Sequence, residues 1–352
     1  MRVLFWGTSD FALPTLRALL DASDHEVVGV VTQPDRPAGR GRSVRATPVA
    51  RAGAESGLRL LQPEKPRGDA FMEALAGLDP DVSVVAAYGE ILTEHVLEAP
   101  RLGTLNVHAS LLPALRGAAP INWAIIRGHR ESGVTIIRLV RELDAGPILR
   151  QEAVGIGPRT TAGELFEELS GLGGRLLLET LEGLGAGTIE PREQDHDAAT
   201  YAPKLGRDAA RLDWSHSAAE VDRWIRGCDP WPAAWSVLGA EDDGASGGRR
   251  PSGGGGRSGG DLSVQLFDPR SVGSAEAARA VAAAAESGRG SVHDRPGAAP
   301  GTVLVADPRE GLLAAAGQGA VWIGEVKPAG SRRMASAAWI RGRGARAGQR
   351  LR

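Results

Sequence analysis

The chain is 352 residues long, enough for two domains of ordinary size. It is 42% apolar and 24% charged, and 41 basic against 43 acidic side chains leave a net charge of −2. Wholesale disorder is thereby excluded, and global charge selects no partner. One cysteine, Cys228, rules out an intrachain disulfide and a cysteine-based zinc or iron–sulfur site. No basic leader precedes a long apolar run at the start, and no later stretch approaches the ~20 apolar residues of a membrane span. These features predict a soluble, cytoplasmic protein.

Arg2 to Trp6 predicts a buried strand, followed by a turn at Gly7-Thr8-Ser9-Asp10 and a helix over 11–22 carrying Leu13, Leu16, Leu19 and Leu20. Apolar runs at 26–32, 82–87, 104–108 and 134–139 predict further strands, with helical stretches between most of them. Short continuous apolar runs alternating with helices imply an α/β fold: a Rossmann-like, mostly parallel sheet with helices on both faces. Ligands of such sheets bind at the carboxyl ends of the strands. Thr161-Ala-Gly-Glu164 matches a capping box, and Leu165, Leus 169, 172 and 176 continue that helix toward Gly185. A first domain is therefore expected over 1–189, a polar linker over 190–208, and a smaller domain over 209–352.

The second domain opens with a helix-like stretch over 211–227 that Asp229-Pro230-Trp231-Pro232 ends. Short strands at 234–238, 262–267, 302–306 and 320–326 then suggest a small barrel or sandwich. Nine of the seventeen residues from Gly244 to Gly260 are glycine, which predicts a flexible insertion over about 241–260. Ala275 to Glu286 reads either as a short helix or as more of that insertion.

Chemistry concentrates in residues 104–120, TLNVHASLLPALRGAAP. Strand geometry puts Asn106 and His108 on one face at a carboxyl end. An amide donor beside an imidazole suits a carbonyl that becomes a tetrahedral oxyanion, with the imidazole donating or moving a proton. Asp144, in Leu143-Asp144-Ala145-Gly146-Pro147, is the best candidate for a carboxylate that orients the ring. A lone strand histidine is more often structural, and N-x-H arises by chance in many chains, so spacing alone leaves both readings open. Ser110 lacks the flanking glycines of a nucleophile elbow, and the absence of G-x-G-x-x-G argues against a dinucleotide. No metal is expected.

Two stretches break the charge balance. Arg36, Arg40, Arg42, Arg45 and Arg51 face one acid, Asp35, in a loop made irregular by Pro34, Pro37, Gly39 and Gly41. Residues 326–352 carry Lys327 and seven arginines without an acid. A single such run is usually a solvated face, but two of one sign on a neutral chain point to phosphate contacts.

The string N-x-H-x-S-L-L-P-x-x-R-G-x-x-P over Asn106–Pro120 resembles the folate-dependent formyltransferase family. Residues 7–12 and 33–41 resemble the branch that acts on initiator tRNA, and Val85 to Leu92 is similar to the family's folate-side segment. Residues 201–205, 231–235, 327–330 and 332–334 extend the likeness through the second domain. It breaks over 236–299, which is longer and richer in glycine.

The resemblance implies transfer of the formyl group of 10-formyltetrahydrofolate to the α-amino group of methionine on initiator methionyl-tRNA. Asn106 and His108 would stabilise the oxyanion, with Asp144 orienting the imidazole. Ser110, Leu111, Leu112 and Pro113 would lie along the folate through exposed backbone groups and apolar side chains, with Tyr88, Gly89 and Ile91 beside it. Arg36, Arg40, Arg42 and Arg45 would meet the tRNA acceptor end, and Lys204, Arg332 and Arg333 would add contacts. The second domain would be an oligonucleotide-binding (OB-type) barrel, and the protein a monomer. A formyltransferase for a sugar nucleotide or glycinamide ribonucleotide would share the three site residues but need no arginine loop. A non-catalytic RNA-binding relative would have no reason to keep all three.

Overall fold

Seven strands form the sheet of the first unit, in the order Ile148–Gly155, Glu131–Arg138, Thr104–His108, Val82–Ala86, Arg2–Gly7, Glu26–Val31, Leu60–Leu61. The computed structural model describes residues 1–38, 43–239, 261–294 and 297–352, so Arg40, Arg42 and the glycine-rich insertion lie outside the described residues. Contacts divide the chain into one unit of residues 1–124, 129–158 and 164–204, and another of 125–128, 159–163 and 205–352.

The five strands from Thr104–His108 to Leu60–Leu61 are mutually parallel. Glu131–Arg138 runs antiparallel to Thr104–His108 and pairs with Ile148–Gly155 as an edge hairpin. The apolar run at 134–139 therefore marks a strand but not its direction. Its partner escaped notice because Arg150, Gln151 and Glu152 face solvent or lie half-buried, so no apolar run forms.

Both faces are covered. On one, Leu4, Trp6, Val31 and Val85 pack with Leu75 of the helix Asp69–Ala76 and with Val96 and Leu97 of Glu94–Glu98. On the other, Val107 meets Gly173 of the long helix Ala162–Ala186, where a Cβ would come within 2.7 Å of Val107 Cγ1. Glycine there lets helix and sheet approach closely. The predicted loop over 35–51 is more regular than expected: Arg36–Ala38 pairs with Ser43–Arg45, and Thr47 caps the helix Pro48–Glu55.

The second unit is an antiparallel sheet, ordered Trp235–Leu238, Leu262–Val272, Ala320–Pro328, Gly311–Ala315, Val303–Asp307, Ser291–Val292, with Met334–Ala335 beside Ala320–Pro328. Its helix begins at Ala218 rather than near residue 211. Ser217 and Glu220 form a reciprocal capping box there, while Arg211 bridges to Trp235 and Leu212 is buried. Ala275 to Glu286 belongs to a helix, Ser274–Ser287.

The C-terminal residues close this sheet. Arg352 and Val237 exchange backbone hydrogen bonds of 2.8 Å, while Val303 N–H donates to Gln349 O and Leu351 N–H to Gly301 O. Bridges Leu238–Leu351 and Thr302–Arg350 thus join the edge strand to the start of Val303–Asp307, giving the barrel-like form expected.

Candidate active site

Strand pairing places Trp6, Val85, Asn106 and Ile137 in one row across four neighbouring strands. Asn106 is the only polar member, and its half-buried carboxamide makes no hydrogen bond among the described residues. Two residues on, His108 is 5% exposed at the carboxyl end of the strand. Its Nε2 lies 3.1 Å from Leu115 O, in the geometry of an N–H donating to that carbonyl. Its Nδ1 lies 3.6 Å from Asp144 Oδ2, within ion-pair range but long for a hydrogen bond. Asn106, His108 and Asp144 are therefore brought together.

Asp144 is itself held. Gly117 N–H donates to its Oδ2 at 2.8 Å. Gly117 has φ +112, and a Cβ would sit 2.9 Å from Ala202 O, so glycine is required where this amide reaches the carboxylate. Leu115 and Asp144 also adopt positive φ, +63 and +50. For a leucine that conformation costs about 1–2 kcal/mol, and such strain concentrates at functional sites.

The Ser110–Pro113 segment departs from its expected role in one respect. Its backbone carbonyls are engaged within the protein: Ser110 O accepts from Thr135 Oγ1, and Leu112 O from Gln151 Nε2. Leu111 O and Pro113 O accept from the N–H groups of Ala114 and Thr200. Leu112 is buried against Ile137 and Ile148, while the side chains of Leu111 and Pro113 are half-exposed. The Ser110 hydroxyl donates to Ala114 O at 2.6 Å.

Tyr88 turns its ring into the core, edge-on to Trp6 at 5.3 Å, where burial and then Glu90 push its phenol up to about 12. Its carbonyl accepts from the Thr8 hydroxyl, and the core packing of its ring argues against the ligand contact expected of the side chain. Gly89 and Ile91 do face outward, Ile91 being 83% exposed. Val140 and Leu143, on the chain leading to Asp144, are also exposed apolar residues that the sequence reading missed. Burial pushes the Cys228 thiol, in the second unit, up to about 12, which disfavours a thiolate there.

Among the arginines, Arg36 and Arg45 are exposed and stand opposite each other in register. Like charges so placed repel by roughly 0.2–1 kcal/mol, a cost that an anionic partner would relieve. Arg332 and Lys204 are exposed. Arg333 is engaged instead: its Nη1 and Nη2 bind both oxygens of Asp229 at 2.8 and 3.1 Å, its Nε binds Glu325, and it lies 4.0 Å over the Phe267 ring. That arrangement argues against the phosphate contact expected of it.

The stretch from residue 190 to 204 does more than connect. Tyr201–Ala202 pairs with Arg116–Gly117, Thr200 Oγ1 accepts from Leu115 N–H, and Gln194 reaches the Asp144 turn. Nothing in its polar composition signals these contacts, although Arg116 and Gly117 lie inside the 106–120 string.

Comparison with known proteins identifies the family. Residues 1–181 match the formyl transferase family model, and residues 204–245 and 274–344 match that of the formyl transferase C-terminal domain. Methionyl-tRNA formyltransferase of Desulfotalea psychrophila is 42% identical over 97% of this chain and 93% of its own length. The enzyme of that name from Bacillus subtilis is 38% identical over 99% and 97%. Among solved structures, HypX from Aquifex aeolicus in complex with tetrahydrofolic acid shares the fold at a TM-score of 0.57 and 19% identity, over 97% of this chain and 47% of that one. With family matches in both parts and relatives aligned nearly end to end, the chain belongs to the methionyl-tRNA formyltransferase family.

Proposed function

We propose that Asn106, His108 and Asp144 carry formyl transfer in this chain. The reaction moves the formyl group of 10-formyltetrahydrofolate, the co-substrate, to the α-amino group of methionine on initiator methionyl-tRNA. As the amine attacks, negative charge grows on the formyl oxygen. The Asn106 amide, free of any described protein partner, donates to that oxygen; one such donor is typically worth ~2.7–4 kcal/mol of barrier.

His108 moves the proton. Both ring nitrogens face an oxygen acceptor, Leu115 O and Asp144 Oδ2, and a neutral imidazole can donate to one at a time. To take a proton from the attacking nitrogen and return one to the departing folate nitrogen, the ring gives up its Leu115 O contact and turns Nε2 to the substrate, while Nδ1 stays beside Asp144. Asp144 orients the ring and balances its transient positive charge. The observation that carries this reading is an Asn106 amide without a partner among the described residues, two residues before a buried histidine that faces Asp144.

Arg36, Arg45, Arg332 and Lys204 serve as phosphate contacts, with Arg40 and Arg42 assigned the same role from sequence alone. The barrel-like second unit takes the tRNA stem. No helix among the described residues is long and apolar enough to cross a membrane. We further propose a monomer working in the cytoplasm. The test is consumption of 10-formyltetrahydrofolate by purified protein with charged initiator tRNA, with small amines, and alone. Turnover dependent on the charged tRNA is expected. Equal turnover with a sugar amine would overturn the acceptor assignment.

A further inference from the structure

Gln194 lies fifty residues from Asp144 along the chain and is 5% exposed. Its Nε2 donates to Asp144 O at 2.9 Å and to Gly146 O at 2.7 Å. Its Oε1 accepts from Arg116 Nη2 at 2.6 Å and Nε at 3.2 Å. Arg116, 4% exposed, also donates Nη2–H to His196 Nδ1 at 3.1 Å, and its backbone N–H donates to Thr200 O. The Gln194 amide is therefore saturated, two hydrogens given and two accepted. Turning it over would set its NH2 against the Arg116 donors and its oxygen against two carbonyls, so its orientation is fixed.

We infer that Gln194, oriented by Arg116, is a positioning residue for catalysis: it clamps the Asp144 turn so that the carboxylate faces His108. The two carbonyls it holds bracket Ala145, and the turn carries a residue at φ +50 that needs external restraint. Arg116 adjoins Gly117, whose N–H holds Asp144 Oδ2, so one short segment secures the carboxylate directly and its backbone through Gln194. Neither residue touches the reacting atoms in this reading. The inference rests on the assignment of Asp144 to the site.

Gln194→Glu tests it. This near-isosteric change keeps the Arg116 partner but removes both donors and sets a carboxylate against two carbonyl oxygens. In the folded variant turnover should fall at least tenfold, with affinity for tRNA little changed and the ¹⁵N shifts of the His108 imidazole moved. Should the variant not fold, Arg116→Met with Gln194→Met removes both polar partners and leaves no orphaned charge, and the same fall in turnover is expected. Asp144→Asn is measured alongside. If Asp144→Asn is severely impaired while a folded Gln194→Glu, or the double variant, turns over at the wild-type rate with unmoved His108 shifts, the clamp is refuted. If Asp144→Asn itself retains wild-type turnover, the reading beneath the clamp fails.

Discussion

Each unit contains a buried aspartate facing a cationic or protonatable partner, and the two pairs are built in opposite ways. In the second unit both oxygens of Asp229 are bound by the Arg333 fork at 2.8 and 3.1 Å, with Glu325 and the Phe267 ring completing the guanidinium's surroundings. In the first unit Asp144 stands 3.6 Å from His108, two residues of the site hold positive φ, and the neighbouring Asn106 amide has no partner among the described residues. A saturated, bidentate pair fixes structure. A slack pair beside a free donor, on strained backbone, is an arrangement that stability alone does not explain. On the proposed assignment, the contrast separates residues that would act on substrate from residues of the same type that hold the fold.

The sharpest way to break that contrast is to remove the slack pair. His108→Ala and Asp144→Asn should each lower turnover at least ~100-fold while the circular dichroism spectrum and urea midpoint stay close to wild type. A comparable loss of stability would place the pair with Asp229 and Arg333. The converse change, Arg333→Ala, leaves a nearly buried carboxylate short of donors and should cost roughly 1–3 kcal/mol in urea unfolding. An unchanged unfolding midpoint would return Arg333 to the set of phosphate contacts.

Its neighbour sharpens the comparison further. Arg332 is exposed, so Arg332→Ala should leave stability alone and reduce the slope of log affinity for tRNA against log salt by roughly 0.7–0.9. An identical slope in both proteins would assign Arg332 to solvated surface. The smallest effect expected lies away from either pair. The Arg2 N–H and then the Arg101 guanidinium hold the Asp81 carboxyl below its usual range. A carboxylate depressed in the folded state contributes stability above its unfolded pKa and loses it as pH falls through the folded value. Asp81→Asn should therefore be slightly less stable than wild type at pH 7, the gap closing below about pH 4. A gap independent of pH would contradict this.

The central strands were legible because each is buried on both faces and reads as an apolar run, Val82 to Ala86 most plainly. Asn106 stood out because strand periodicity gives it the same face as His108, and the register shows it as the polar exception in an apolar row. The hairpin strand Ile148–Gly155 was not legible, since a partly exposed edge needs no apolar run. Leu212 and Trp214 mimicked a helix because both are buried, although the helix starts at its Ser217 cap. The basic composition of the last residues concealed that residues 349–352 close the barrel through backbone hydrogen bonds, which any side chain permits. Gln194 was hidden for a related reason: a polar residue in a polar stretch shows its partners only when the chain folds back on the Asp144 turn. Tyr88 was assigned to the ligand because its segment borders the site, whereas its ring belongs to the core.

The Asn106 amide, without a partner among the described residues, is the proposed donor to the developing oxyanion. The direct measurement is the single-turnover rate of formyl transfer from 10-formyltetrahydrofolate to initiator methionyl-tRNA by Asn106→Ala, with folate and tRNA binding measured on the same protein. The rate should fall at least ~100-fold while both substrates still bind with near wild-type affinity, because the lost interaction forms chiefly in the transition state. A folded Asn106→Ala protein transferring formyl at the wild-type rate would contradict the account.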